Sequence, residues 1–486
     1  MIHQNHSDHK TPQRKILART VTYKNFIGLG LGTIVGIGWV IMAGDLLRAG
    51  GSLGAILGFI VGGLLLIIIG LCYAELTPAI PVAGGEIAFA YKAFGTGPAF
   101  LTAWLLSFGY IAIGPFETVA MGWLFEYIFP GLKTQALYSF GGHSLSMSSL
   151  LPGLIIAAYI IYINYRGVKI TARFQMFAII AMLFCATIFI AIAFIKGSFS
   201  NLLPLFSAKG TLFIAGPVSI IAVLGMTPYF YGGFDIIPQA SEESGEKVAP
   251  RDLGKAIIVS LIAGAVFYAA VMLALSLCMP WRQAIKLEMP TADVFQVAFG
   301  YAWAAKIVLF AAFLGLVTSL NGKFLASCRV LFAMGRGGLL PKWYGDTSKK
   351  YQTPKNAVLF VGVIALIGPF IGKAVLLPIV RVGSLGYITA WFITCLATIH
   401  LRKTAPEMNR PFKVKRKFVL YFGALFSGGL VLLMIIPGSS AQLKWPLEYI
   451  IFGTWLVLGY IGYRWRLRTE DMKKEERDYQ ILGEYR

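Results

Sequence analysis

Charge is scarce in this sequence. Asp, Glu, Lys and Arg make up 13% of its 486 residues, against 57% apolar ones. Soluble domains carry about 25% charged residues, so the composition excludes an ordinary globular fold. Acid is scarcest: 22 Asp and Glu stand against 43 Lys and Arg, a formal net charge of +21. Cysteine is rare as well. Cys72, Cys185, Cys278, Cys328 and Cys395 all fall in apolar runs without metal-binding spacing, and read as small packing residues. No phosphate-binding loop of the G-x-x-x-x-G-K-[ST] type occurs, which excludes an ATP-driven motor in this chain. The one approach to a dinucleotide fingerprint starts at Gly30 and has Val35 where its third glycine belongs. No His/Glu metal motif and no catalytic constellation is found, so neither an enzyme nor a metal or organic cofactor is expected. The first 20 residues are polar and lack the apolar core and small-residue cleavage site of a signal peptide. Their His3, His6 and His9 read as part of a disordered tail.

What the chain does have is long apolar runs, about a dozen of bilayer-spanning length. They lie near 25–47, 52–76, 98–128, 149–165, 172–196, 213–240, 253–279, 301–334, 356–372, 376–402, 417–437 and 446–465. The 301–334 run is longer than a bilayer needs, so its last turns protrude or tilt. The pattern predicts an all-α integral membrane fold. The boundaries are an N-terminal tail 1–24, a membrane domain 25–466 and a C-terminal tail 467–486. Basic residues concentrate at Arg166/Lys169/Arg173, Lys247/Arg251/Lys255, Lys342–Lys355 and Arg402–Lys417, and almost vanish near 130–148 and 438–446. That is the positive-inside pattern. It predicts a multi-pass protein of the cell membrane with both termini cytoplasmic. The basicity then reflects topology and anionic lipid headgroups, and nucleic acid is not an expected partner. No feature specifies an oligomer.

Two apolar runs are interrupted mid-span. The first holds Gly28, Gly30, Gly32, Gly36 and Gly38; the second holds Gly225-Met226-Thr227-Pro228 and Gly232-Gly233. Both sets weaken or break a helix. They open the two halves 25–196 and 213–402, each of five spans, so the second half is inverted relative to the first. Paired broken spans in matching positions are the sequence mark of a secondary transporter's binding site. Backbone N–H groups around Val35, Gly36, Ile37 and Gly38, at the dipole end of the half-helix after them, suit a carboxylate; close helix packing is the competing reading. Tyr229, Phe230 and Tyr231 stand at the second break, where an aromatic can cover a ligand. Asp235 follows, and reads as a helix cap or structural hydrogen-bond partner, a counter-charge or a proton carrier. Glu117, beside Pro115 in the third run, is the other deep carboxylate and a candidate proton site or counter-charge. Lys323 reads either as its partner or as a snorkelling residue. Glu75 and Lys306 read as interfacial. Segment Glu86–Phe94 is predicted to lie as an amphipathic helix on the inner surface, and Thr469–Arg486 to be a solvated helix or disordered.

These segments resemble the amino acid–polyamine–organocation (APC) permease superfamily. The likeness rests on Gly36-Ile37-Gly38 and on Tyr73-Ala74-Glu75-Leu76 followed by Pro81-x-Ala83-Gly84-Gly85-Glu86. It continues in Tyr231-Gly232-Gly233-Phe234-Asp235 with Glu242-Glu243 and Pro250-Arg251-Asp252. Further on, Asn321-Gly322 precedes Ser327-x-Arg329-Val330-Leu331-Phe332-Ala333-Met334-Gly335-Arg336, and Gly383-Ser384-Leu385-Gly386 and Arg410-Pro411-Phe412 follow. The resemblance implies the leucine-transporter-type fold: a 5+5 inverted repeat with helices 1 and 6 broken, plus two C-terminal helices at 417–466. It implies a substrate carboxylate at Val35–Gly38, an amine at the carbonyls of Gly225, Met226, Thr227 and Tyr229, and Tyr229 as the gating aromatic. Tyr231 joins the expected binding set. Two positions depart from the family. Ile37, followed by Trp39, adds bulk where Ser or Ala is usual. Met182 stands where some proton-coupled relatives carry lysine, and offers no oxygen to sodium. The expected substrate is an amino acid. An organic cation or polyamine, or a non-transporting sensor on the same fold, is the alternative.

Overall fold

The structure, a computed structural model, describes residues 14–140, 143–439, 442–469 and 472–486. His3, His6 and His9 lie outside these residues. Helices α1 Tyr23–Ile34, α2 Gly38–Ile41, α3 Ala43–Ala79, α4 Glu86–Phe94, α5 Thr96–Ile128, α6 Met147–Arg166 and α7 Val168–Lys196 form the first half. The second half holds α8 Leu212–Leu224, α9 Thr227–Tyr231, α10 Ile236–Gln239, α11 Pro250–Cys278, α12 Trp281–Ala284 and α13 Pro290–Phe299. It continues through α14 Ala302–Arg336, α15 Lys355–Ile367 and α16 Lys373–Thr404; α17 Lys417–Ile435, α18 Leu447–Thr469 and α19 Lys474–Leu482 follow. Helices are the expected solution, because an apolar medium offers no partner to an open backbone group.

Among the described residues, nine helices are long and apolar enough to cross a bilayer, and Leu212–Leu224 with Thr227–Gln239 forms a tenth span bent by 46°. Two of the expected runs differ. The one near 356–372 is the shorter α15 with a 3-10 turn, Gly368–Ile371. The one near 446–465 is α18, which carries Glu448, Arg464, Arg466 and Arg468 and is less apolar. Helix α3 contains the end of the first run and all of the second. Gly51, at φ 68° and ψ −170°, turns the chain between them. A two-stranded antiparallel hairpin, Ala136–Phe140 with His143–Ser146, fills the 130–148 loop.

Helices α1, α3, α5, α7, α11, α14 and α16 form the interior, with α3 packed along α11 and α5 along α14 and α16. Small residues allow the closest approaches. A Cβ on Gly322 of α14 would fall 1.9 Å from Thr33 Oγ1, and one on Gly315 would fall 2.7 Å from the Gly36 carbonyl. The α14 backbone therefore lies directly against the first break.

Both described chain ends meet on one face of the bundle, where Arg14 donates to the Gln480 carbonyl at 3.3 Å. This terminal face corrects three expectations. Helix α4 is not laid on a surface: Glu86 to Tyr91 are all buried, because α5 and α16 cover one side of it and α19 another. Glu75 is not interfacial. It is fully buried, chelated by Arg402 Nε at 2.7 Å and the Val414 N–H at 2.9 Å, with Arg410 Nε at 3.4 Å. The C-terminal segment is docked rather than solvated, with Gln480, Ile481 and Leu482 buried.

Candidate functional site

Helix α1 stops at Ile34, and Val35 leaves helical geometry at φ −86°, ψ 81°. The chain re-enters helix at Gly38. The Gly36 N–H folds back onto the Ile34 carbonyl at 3.0 Å, while the N–H groups of Ile37, Gly38 and Trp39 reach no backbone carbonyl among the described residues. Three donors are thus left free at one gap, the ordinary condition of a helix start. In the second break α8 stops at Leu224, whose carbonyl accepts the Thr227 hydroxyl at 2.8 Å. The Gly225 carbonyl receives no backbone N–H. The two breaks touch. Gly233, at φ 141°, packs against the backbone of Thr33 and Ile34, and a Cβ on Gly38 would fall 2.7 Å from the Phe230 ring. A glycine at 233 is needed both for that dihedral angle and for that approach.

One side chain ties the breaks together. Tyr268 of α11, fully buried, donates its hydroxyl to the Ile34 carbonyl at 2.7 Å and lies 3.2 Å from the Phe230 carbonyl. A tyrosine hydroxyl in an apolar span must find an acceptor, and that rule was the available signal for it in the sequence.

A cleft opens beside the second break, lined by Tyr110, Ile113, Tyr229, Gly232, Gly233, Asp235, Lys323 and Tyr387. Tyr229 is its most exposed member at 40%. Lys323 Nζ lies 3.0 Å from Ser319 Oγ and 3.8 Å from Glu117 Oε1. Ser319 in turn is the side chain that a Cβ at Gly36 would meet, at 3.7 Å. Glu117, Lys323, Ser319 and Gly36 thus form a continuous polar path from α5 across α14 to the first break. Near it Glu117 Oε2 is buried without a hydrogen-bond partner among the described residues. Such an atom is costly unless a ligand or water meets it.

Asp235 lines the cleft but is held within the fold, and several other residues named from sequence face elsewhere. Asp235 does not cap α10 with its side chain. Its two oxygens accept from the Gly233 N–H at 2.9 Å and from Trp391 Nε1 at 3.1 Å, so its own turn and α16 hold it. Tyr231 is fully buried and donates to the Phe59 carbonyl of α3 at 2.8 Å. The Thr227 side chain packs at Gly62 of α3. Trp39 adds no bulk at the cleft, because its ring packs against Phe189 and Phe267. Ile37, Val35 and Met226 remain at the breaks, and Met182 is fully buried in α7. A buried amide chain that sequence reasoning missed runs beside the first break. Asn164 donates to Asn321 at 2.9 Å, Asn321 to Gln175 at 2.8 Å, and Gln175 to the Thr318 carbonyl at 3.0 Å.

The terminal face below the cleft is closed by charge. Arg329 grips Glu243 through two hydrogen bonds of 3.0 and 2.9 Å, both residues fully buried. Arg336 grips Glu242 at 2.8 and 2.9 Å, and Arg14 adds a third bond at 2.9 Å. The N–H groups of Thr20 and Val21 both donate to the Glu243 carbonyl at 2.9 Å. Gln239 donates to Glu86 in the same layer. Burial pushes the Glu242 carboxyl up, and Arg336 and Arg14 with the Ala83 N–H more than reverse it, leaving its pKa at about 2. A lowered folded pKa means that the pair's contribution is complete above the ordinary carboxylate range. It is lost only as pH falls toward that value.

Two touching helix breaks beside a narrow cleft, with one face of the bundle closed by ion pairs, fit a membrane transporter. Residues 22–457 match the model of the amino acid permease family, and the chain belongs to that family. It is 29% identical over 461 residues to the methylthioribose transporter of Bacillus subtilis (strain 168), covering 92% of this chain and 93% of the relative. It is equally 29% identical over 462 residues to the branched-chain amino acid permease of the same organism, covering 93% and 94%. The cationic amino acid transporter 6, chloroplastic, of Arabidopsis thaliana is 26% identical over 383 residues, covering 76% of this chain and 64% of the relative.

Proposed function

We propose that this protein is a secondary transporter of the cell membrane that moves an amino acid by alternating access. On this reading the two five-span halves, 25–196 and 213–402, are inverted repeats, and the terminal face is cytoplasmic. The observation that carries it is the contact between the two helix breaks, with the unpaired N–H groups of Ile37, Gly38 and Trp39 at the first and a cleft lined by Tyr229 beside the second. A substrate carboxylate lies on those N–H groups, at the dipole end of the half-helix. The amine meets the free Gly225 carbonyl, and Tyr229 covers the bound molecule. With the terminal face sealed by Arg329–Glu243 and Arg336–Glu242, the structure corresponds to a state closed toward the cytoplasm.

Tyr229 packs edge-on against Phe230 and is otherwise open to the cleft. Tyr229→Ala removes the cover without unpacking the core. We expect substrate to leave about tenfold faster, a loss of roughly 1.4 kcal/mol, read as a raised Kd in a binding assay on purified protein. Unchanged retention would move the gate elsewhere.

Lys323 bears on the substrate's charge. It neutralises Glu117 across 3.8 Å, which argues for a neutral side chain over an organic cation or polyamine. Lys323→Met removes the cation beside Glu117 and leaves a buried carboxyl that regains a charged partner only from a cationic substrate. The variant is expected to gain about tenfold in affinity for lysine or arginine relative to leucine, measured by competition in proteoliposome uptake. Asp235, held by its own turn and Trp391, is not assigned a proton; Glu117 remains the carboxylate placed to carry one.

The direct test is uptake into proteoliposomes and thermal shift against neutral and cationic amino acids, with methylthioribose as a third arm because one relative carries that name. Binding without flux in every arm would favour a sensor over a transporter.

A further inference from the structure

We infer that the C-terminal segment 474–486 is a latch that holds the cytoplasmic gate shut and must detach before the gate opens. The inference rests on the alternating-access reading. Three separate parts of the chain meet at this gate: the N-terminal stretch from Arg14, helix α4, and the end of α14. Leu17, Ala83 and Phe332 form an apolar plug there, apart from the main core. Arg336 stacks over the Phe332 ring at 4.9 Å and shares Glu242 with Arg14.

The tail touches all three parts. Tyr91 of α4 donates to Asp478 at 2.6 Å, and Lys92 donates to the Tyr485 carbonyl at 2.6 Å. Ile481 packs on Gly337 at the end of α14, where an added Cβ would fall 2.6 Å from it. Arg14 donates to the Gln480 carbonyl and lies against Gly483. Ile481 and Leu482 are 4% and 5% exposed in a segment that is otherwise charged. Two apolar residues in a polar tail, both buried, mark a docking face rather than a solvated helix.

Opening this face requires Arg14 and its stretch to part from α14 and α4. A nine-residue helix fastened to all three cannot follow them in different directions. Its undocking is therefore coupled to opening, and its docked population lowers the share of the inward-open state.

The test uses the full chain with Leu17→Cys in the plug, probed by a membrane-impermeant maleimide from the cytoplasmic side. The native cysteines are buried. Ile481→Asp breaks the apolar seat of the latch. Labelling at position 17 is expected to rise about tenfold, as the open state moves from about 1% toward about 10%. Tyr91→Phe, which removes only the bond to Asp478, is expected to give a smaller rise. Labelling at the parent rate in both variants overturns the latch. Where Ile481→Asp lowers thermal stability, Tyr91→Phe decides. Uptake is measured in the same vesicles: a parent protein without uptake counts against the transport reading, while the labelling ratio still decides the latch.

Discussion

Gly36→Leu abolishes substrate binding and leaves the protein folded. The position is half-buried, and a Cβ there meets Ser319, at an ordinary 3.7 Å. A Cβ there therefore strikes no backbone, and on the proposed reading the rest of a leucine fills the space that the substrate carboxylate takes. Hydrogen bonds to a charged group are worth about 1.5–3 kcal/mol each. Losing two of them lowers affinity by a factor on the order of a hundred or more. Thermal unfolding should change little, and binding should vanish from a titration that saturates the parent. The neighbouring glycine is a different case. Gly38→Leu drives into Phe230 at 2.7 Å, and Phe230 is wedged among Phe59, Tyr229 and Tyr268. That variant is expected to lose stability along with binding. Substrate saturation of Gly36→Leu at the parent's concentration would remove the proposed carboxylate site.

Arg329→Met has the largest expected effect on stability. It strands the Glu243 carboxylate, fully buried, with no other cation in hydrogen-bond reach among the described residues. Burial already raises the Glu243 pKa, and Arg329 is the group that opposes this. Removing one partner of a buried pair costs about 3–5 kcal/mol. The same loss loosens the Glu243 carbonyl that holds Thr20 and Val21, so the damage reaches the N-terminal stretch. Replacing both partners, with Glu243→Gln added to Arg329→Met, removes the stranded charge and is expected to recover most of the loss. Thermal unfolding of the purified variants measures both. Equal melting of parent and single variant would mean that the gate pairs do not hold the face closed.

Much of the membrane architecture was legible because hydropathy and helix breakers act locally. The first run breaks only at its later glycines, at Val35–Ile37 beside Gly36 and Gly38, while Gly28, Gly30 and Gly32 stay inside α1; the second breaks at Gly225-Met226 and again at Gly232-Gly233. What was not legible is tertiary. Tyr231 and Tyr229 are two residues apart and chemically alike, yet one points at α3 and the other at the cleft, a choice made by helix rotation alone. Glu75 reads as interfacial from its place near a span end. It is buried because Arg402, 327 positions later, folds over it. Helix α4 has an amphipathic pattern that fits a membrane surface equally well. The docked α19 and the flanking spans turn it inward, and no local pattern carries that information. The sequence allows Lys323 either to pair or to snorkel, and the geometry puts it 3.8 Å from Glu117.

The Tyr268 hydroxyl has a single hydrogen to give and two oxygens competing for it. At 2.7 Å the Ile34 carbonyl holds the advantage over Phe230 at 3.2 Å. Sliding one helix break a few tenths of an ångström past the other would hand that hydrogen across. The phenol thus registers the relative displacement of the two breaks, and its vibrational or ultraviolet resonance signature would report that displacement with no label attached.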